Sequence, residues 1–383
     1  MGALMSNNTK PKAPDFLLLY NGKNMTKDIS SNLIQITWTH QLSGESDELE
    51  VELEDVDGRW LNTPFYPQKG AALKLSFGYA GEALIPVPSA TIDEISLSGP
   101  PSTVSIRARS ASSQTPVRTR SNQGFENTTL KKIAEQLAQK HGFKLIGEID
   151  PLPLDRVTQY GQTDLAFLQK IATQHGYAVR VQAVEKELIF IKRSALHTKD
   201  ALRSYALSDL TTWNVTDQVG DVPASGSTSY HDPNSKKLVT YGVKDGQTTV
   251  LGDKSAGKTS SADHAQKKQR ATTKEVAASL AQSHLELKQL ERTVANITLP
   301  GDPLLRAGMA IGLHGLGLLS GKYTCTKAAH TISRSNGYTM ALELKRVVPG
   351  EAAGKAGAKN TLKVYGKSGG EVKVVDQIAK VKK

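Results

Sequence analysis

Between Asp15 and about Ser110 the apolar residues fall on alternate positions, the period of a strand with one buried face. In "ELEVELEDVDG", Leu49, Val51 and Leu53 occupy one face, and Glu48, Glu50, Glu52 and Glu54 the other. "GAALKLSFGYAGE" predicts a hairpin, and "SATIDEISLSGPPSTVSIRARS" a second that turns at Gly99-Pro100-Pro101. The first hundred residues therefore predict an all-β domain.

The period changes at "ENTTLKKIAEQLAQKHGFKL", where Leu130, Ile133, Ala134, Leu137 and Ala138 recur at helical spacing. Thr128 or Thr129 can cap the start, and Gly142 suits the left-handed position after the end. A second helix follows in "QTDLAFLQKIATQHGYAV", with Thr163 as cap and Leu165, Leu168, Ile171 and Ala172 facing inward. Each helix leads through His-Gly-aromatic into a strand, so the unit is duplicated. A fainter repeat joins the segment from Gly70 to the segment from Gly308, each reading strand, Gly-rich turn, strand, Ser/Gly turn, strand. It predicts a second copy of the first β domain. "SADHAQKKQRATTKEVAASLAQSHLELKQLERT" predicts a helix or helix pair with Val276, Leu280, Leu287 and Leu290 inward.

These patterns divide the chain into an arm (1–14), a first β domain (15–110), an α/β domain (111–200), a second β domain (201–219 with 292–349), an insertion (220–291) and a Lys-rich coda (350–383). No run of eighteen apolar residues suggests a membrane anchor. The single cysteine, Cys325, leaves no intramolecular disulfide or thiol-rich metal site, and suits folding in a reducing cytosol. Of the net charge of +11, residues 1–110 contribute −4, from nine Lys/Arg against thirteen Asp/Glu. Charge is thus bipolar along the chain.

"GDKSAGKT", residues 252–259, matches the phosphate-cradling loop G-x-x-x-x-G-K-[ST]. A working loop needs a buried strand before it and a helix N-terminus aimed at the phosphates. Only "TTVL" precedes it and a polar segment follows, so a Lys-bearing loop is the better reading. The eight acids from Glu45 to Asp57 raise a carboxylate-pair or calcium site. Alternation along a strand explains them without either, and "DVDG" is too short for a calcium loop. His141 and His175 occupy equivalent helix ends, where complementing the macrodipole is the expected role. His330 is expected to be packed or hydrogen-bonded. No catalytic, cofactor-binding or metal-binding residue is assigned.

"QYGQTDLAFLQKIATQHGYAVRV", "TIDEISLSGPPSTVSIRARS", "TLPGDPLLRAGMAIGL" and "AAHTISRSNGYTMALEL" resemble the late control D proteins of contractile-tailed phages. That family is the baseplate hub, similar to the hub part of type VI secretion valine-glycine repeat proteins. The resemblance spans roughly residues 15–348. Gln162-Thr163-Asp164 stands where Glu-Ser-Asp is usual and Lys170 where Arg is common, which puts one salt bridge of the family in doubt.

The resemblance implies an α+β, β-rich fold: two related tube-type β-barrel domains with an intervening α/β domain. It also implies a structural, non-enzymatic homotrimer without cofactors, joining a six-fold tail tube to a three-fold central spike. The partners are then the spike, the tube protein and other baseplate proteins. The place is a virion tail baseplate or tailocin, assembled in the bacterial host cytoplasm. Within that frame Leu362, Val364, Tyr365, Val372 and Val374 of the coda are expected to bind the spike by strand addition. The Glu48, Glu50, Glu52, Glu54 face is expected to line the lumen, where like charge would keep nucleic acid off the wall. Two other classes compete: a hub-associated cell-wall hydrolase, and a basic protein that binds nucleic acid. Neither a lysozyme-like region nor a defensible acid/base pair supports the first. The acidic first domain opposes the second.

Overall fold

A computed structural model describes residues 12–44, 46–62, 65–110, 116–218, 225–232, 237–244, 247–251, 264–268, 274–347, 363–365 and 371–373. Its first part runs β1 Pro14–Tyr20, β2 Lys23–Asn24, α1 Thr26–Ser30, β3 Leu33–Gln41, β4 Glu48–Glu54, β5 Ala72–Tyr79, β6 Ile85–Pro86, β7 Ala90–Ser98 and β8 Thr103–Arg109. Alternation in β4 buries Leu49, Val51 and Leu53 almost completely. They join Ile36, Trp38, Phe77, Ile92, Val104 and Ile106 in one core.

Next come β9 Arg120–Thr129, α2 Leu130–His141, β10 Lys144–Ile146, β11 Pro153–Thr163, α3 Asp164–Gln174, β12 Tyr177–Gln182, β13 Glu187–Lys192 and α4 Arg193–Thr198. The duplicated unit is strand–helix–strand. β9 and β11 pair as a two-stranded ribbon, each feeds a helix, and β10 and β12 flank β13. Thr129 accepts from the Lys132 N–H at 3.2 Å and Thr163 from the Ala166 N–H at 3.1 Å, so each helix has a hydroxyl cap. Gly142 takes the left-handed φ of 67° that ends α2. Leu130, Ile133, Leu137, Leu168 and Ile171 share a second core.

Two strands, β14 Ala201–Ala206 and β15 Thr212–Asp217, precede the insertion. The insertion holds β16 Ser225–Asp232, β17 Lys237–Lys244, β18 Gln247–Leu251, β19 His264–Lys268 and α5 Lys274–Leu290. The helix expected from Ser261 onward is therefore corrected. His264–Lys268 is a strand parallel to β16, and the helix begins only at Lys274. Val276 and Leu280 are buried as expected. Leu287 and Leu290 are only half-buried, and Leu285 takes the inward place. The phosphate-loop match, including Lys258, lies outside the described residues, and the next described element is the strand β19.

The chain then re-enters the main sheet with β20 Thr293–Pro300, β21 Ala310–His314, β22 Gly321–Ser333 and β23 Gly337–Arg346, and ends with β24 Lys363–Tyr365 and β25 Glu371–Lys373. A third core lies here, around Ile297, Ile311, Tyr323, Leu342 and Leu344. The main sheet has fourteen strands in the order β15-β20-β23-β22-β3-β4-β8-β7-β5-β1-β2, with β21, β14 and β6 paired off this path.

That order contains the faint repeat twice. β3-β4-β8-β7-β5 and β15-β20-β23-β22-β21 have the same connectivity of neighbours. The likeness extends to single hydrogen bonds. Gly70 N–H bonds the Ile92 carbonyl at 2.8 Å and Ile92 N–H the Ala71 carbonyl at 2.9 Å. Gly308 N–H bonds the Cys325 carbonyl and Cys325 N–H the Met309 carbonyl at the same two distances. Both glycines have a positive φ, 87° and 86°, which a side chain would strain. The ladder of β7 with β8 skips Asp93, and that of β22 with β23 skips Thr326. Each bulge follows the paired residue Ile92 or Cys325, a coincidence of register that shared strand propensity would not produce.

Candidate functional site

The two repeats meet along β22 and β3, antiparallel, from Lys327 opposite Gln41 to Ser333 opposite Gln35. On the apolar side of this seam Trp38 stacks on His330, ring centroids 5.3 Å apart, and both are 2% exposed. His330 Nδ1 accepts from the Tyr338 hydroxyl at 2.8 Å, and its Nε2–H donates to the Leu305 carbonyl at 2.9 Å, which fixes the neutral ring. Burial holds its pKa down at about 4. Beside it His40 Nδ1 accepts from the Ala307 N–H at 3.0 Å, and burial, with Arg180 and Arg306 nearby, pushes its pKa well below the usual value. Asp47 accepts from the Gln41 N–H at 3.0 Å and from Arg180 Nη2 at 2.5 Å, tying the α/β domain to the seam. His330 is thus a seam residue, with both ring nitrogens committed.

The opposite face of the sheet is mainly polar, with Val294, Ala329 and Ala341 as small apolar interruptions in the second repeat. It carries Gln35, Thr37, Thr39 and Gln41 on β3, the four glutamates on β4, and Ser105, Arg107 and Arg109 on β8. In the other repeat it carries Thr212, Asn214 and Thr216 on β15, Asn296 on β20, Lys327 and Thr331 on β22, and Glu343 on β23. Period-two alternation through a continuous ladder puts all of them on one side.

The glutamates are half-buried and have partners. Arg107 reaches Glu50 at 3.1 Å and Glu48 and Glu94 each at 3.3 Å. Arg109 reaches Glu48 at 3.1 Å, Arg334 reaches Glu54 at 3.2 Å, and Gln35 donates to Glu52 at 3.0 Å. The expected bare acidic wall is therefore corrected to a charge-compensated one. Two of its guanidinium partners, Arg107 and Arg109, stand on β8, next to β4 in the sheet but more than fifty residues away in sequence, and the third, Arg334, follows β22. Among the described residues no group of three or more His, Cys, Asp or Glu is placed to hold a metal ion.

Both ends of the eight-strand ladder are open along much of their length. Among the described residues β15 pairs only with β20, and β7 beyond Ile92 pairs only with β8. Each open edge exposes a large apolar side chain, Trp213 at 50% and Leu97 at 48%. The repeat relation places Trp213 where Ile36 stands and Leu97 where His330 stands, and those two are 1% and 2% exposed at the internal seam. The same sites are buried where the repeats meet and bare where they do not.

His141 ends α2, as expected, and also takes part in a buried contact. Its Nε2 lies 2.7 Å from Asp164, which also accepts from Lys140 at 2.7 Å, Gln159 at 2.8 Å and Ser121 at 2.8 Å. Despite its burial, these donors hold the Asp164 pKa down at about 2. His175 is buried at the end of α3. Of the coda residues, Val364, Tyr365 and Val372 lie in β24 and β25, while Leu362 and Val374 fall outside the described residues.

The family model described as "Phage tail baseplate hub (GPD)" matches residues 101–336, more than half of the chain. The chain belongs to the phage tail baseplate hub family. The "Probable baseplate hub protein" of Escherichia phage 186 is 31% identical over 188 residues, covering 49% of this chain and 47% of that one. The chain thus spans about half the length of the curated relatives it matches. The fold is shared with the 43 kDa tail protein of prophage MuSo2 from Shewanella oneidensis, at TM-score 0.63 and 17% identity over 88% of this chain and 99% of that one. It is also shared with an Escherichia coli component of the type VI secretion system, at TM-score 0.53 and 14% identity over 82% and 73%. The hub family is a structural one, located in the tail baseplate.

Proposed function

We propose that three copies of this hub protein close head to tail into a ring, the open edge of β7 in one chain pairing with β15 of the next. The observation behind it is the internal seam. Within one chain the fourth ladder strand of one repeat, β22, already pairs with the first ladder strand of the other, β3. The fourth strand of the first repeat and the first of the second are left over, and they expose Leu97 and Trp213. A head-to-tail contact either closes or grows without limit. With two repeats per chain, three chains give six equivalent seams and a barrel without edges.

In that ring the two repeats are the two tube-type barrel domains, 15–110 and 201–219 with 292–349. The polar face, including Glu48, Glu50, Glu52 and Glu54, lines the lumen. A wall made mainly of hydroxyls, amides and paired charges offers a passing polyanion neither a strong field nor much apolar surface to adhere to. The ring also has polarity. The α/β domain follows Ser110, the insertion follows Gln218, and the coda follows Val347, and register brings all three departures to one end of the sheet. The other end carries the short turns at 99–102 and 334–336 of the two repeats. The repeated turns suit a six-fold tube. The module-bearing end, three-fold because each module occurs once per chain, suits the central spike, and the coda with Leu362, Val364, Tyr365, Val372 and Val374 reaches it. Such an adaptor serves a phage tail or a tailocin alike.

Native mass spectrometry of the purified protein tests the stoichiometry. The expected species is three times the mass of the 41.3 kDa chain. A monomer at all concentrations, or a hexamer, would contradict it. Clearing of peptidoglycan by the same preparation would favour the hydrolase reading instead.

A further inference from the structure

The groove beside β14 has an opening that the ring does not use. β14 pairs on one side with β21, in parallel, and among the described residues no strand is hydrogen-bonded to its other side. A groove of about 1150 Å³ runs along it, lined by the consecutive residues Ala201 to Tyr205. A strand presents alternate residues when approached through a face, so consecutive lining means an edge-on opening. Leu202 on β14 and Leu304 across the groove are 41% and 43% exposed. A bare edge between exposed leucines is a site for strand addition.

We propose that this chain's own C-terminal hairpin, β24–β25, fills the groove, with β24 laid along the free edge of β14. β24 already lies against β14, as a separate two-stranded sheet with β25. Charge mildly favours the pairing: residues 363–383 hold six Lys against two acids, and the groove's three acids, Glu82, Asp209 and Asp302, outnumber its two cations, Lys12 and Arg203, which pair with Glu82 and Asp302. Fifteen residues, 348–362, separate Val347 from β24, and a chain of that length can span up to about 50 Å. The completed ladder reads β21-β14-β24-β25. It covers the exposed leucines and moves the open edge out to the Lys-flanked β25, the strand then offered to a partner. This latch belongs to a single chain and holds whether or not the ring forms.

Hydrogen exchange on the full chain and on a chain ending at Gly350 reads the latch directly. The 201–206 amides should exchange about tenfold faster or more without the hairpin, with β22 and β23 unchanged. Val364→Pro in the full chain removes a ladder N–H and should give the same local change, so a fold failure of the truncation cannot mask the result. A Leu202→Cys, Val364→Cys pair should oxidise within one chain, Cys325 being buried. Equal exchange at 201–206 in all three proteins would overturn the assignment. So would a disulfide formed only between chains, or the same loss of protection on deleting residues 2–11, which would make the N-terminal arm the occupant.

Discussion

The buried imidazole of His330 makes the seam between the repeats acid-sensitive in a calculable way. Unfolded, the ring titrates near 6.5, and folded it titrates at about 4. The folded state refuses a proton that the unfolded state binds, so between these values stability falls as pH falls. Above pH 6.5 the contribution is complete. A tenfold weaker proton affinity in the folded state is worth about 1.4 kcal/mol, so the full drop from 6.5 to about 4 is worth roughly 3–3.5 kcal/mol. His40, lowered by burial, acts in the same direction. Asp47, raised by burial, acts in the opposite direction at the acid end of the range. Replacing His330 by Gln removes one titrating group and leaves both neighbours. Urea midpoints followed by Trp fluorescence at several pH values from 4 to 7 should show a clear slope in the wild type and a shallower one in His330→Gln. Parallel slopes would refute the claim that the imidazole is held neutral by burial at the seam.

Three further outcomes follow from the geometry. Leu137→Ala and Leu168→Ala, at residues 1% and 0% exposed, should each cost about 2–5 kcal/mol in thermal or chemical unfolding. Asp164→Asn should cost about 1.5–3 kcal/mol, because four donors lose a charged acceptor. With the folded pKa at about 2, the wild-type advantage should persist well below pH 4 and vanish only near that value. Glu50→Gln should change stability by less than about 1 kcal/mol, since its pair with Arg107 is half-exposed, and should leave the oligomeric mass unaltered.

The helices were legible because their signals are local. Thr129, Thr163 and Gly142 act within a turn of the helices they bound, and Leu130 to Ala138 carry the 3.6 period. The duplication was legible for the opposite reason. Gly70 and Gly308 need a backbone that only glycine adopts readily, so they survive where the side chains around them have diverged. The ribbon strand β9 was missed, since "RSNQGFENTT" is almost wholly polar and gives alternation nothing to mark. The late start of α5 was missed because "HAQKK" has no apolar period to separate strand from helix. The pairing of Arg107 and Arg109 with the β4 glutamates depends on which strands become neighbours, and a single strand's pattern carries no information on that. The Asp164 knot is similar: Lys140 and His141 come from the end of α2, and only the packed domain brings them to the start of α3.

The head-to-tail ring is tested most directly at the seam that has not yet formed within one chain. Carrying the register of Ala329 opposite Thr39 across the repeat places Ser96 of one chain opposite Thr216 of the next. A Ser96→Cys, Thr216→Cys protein, mildly oxidised, should therefore run as a covalent trimer on a denaturing gel, while each single variant stays monomeric there. A Ser96→Cys, Thr212→Cys control, two same-face positions out of register, should not crosslink. Failure of the in-register pair in a preparation that is trimeric by mass would contradict the β7–β15 seam.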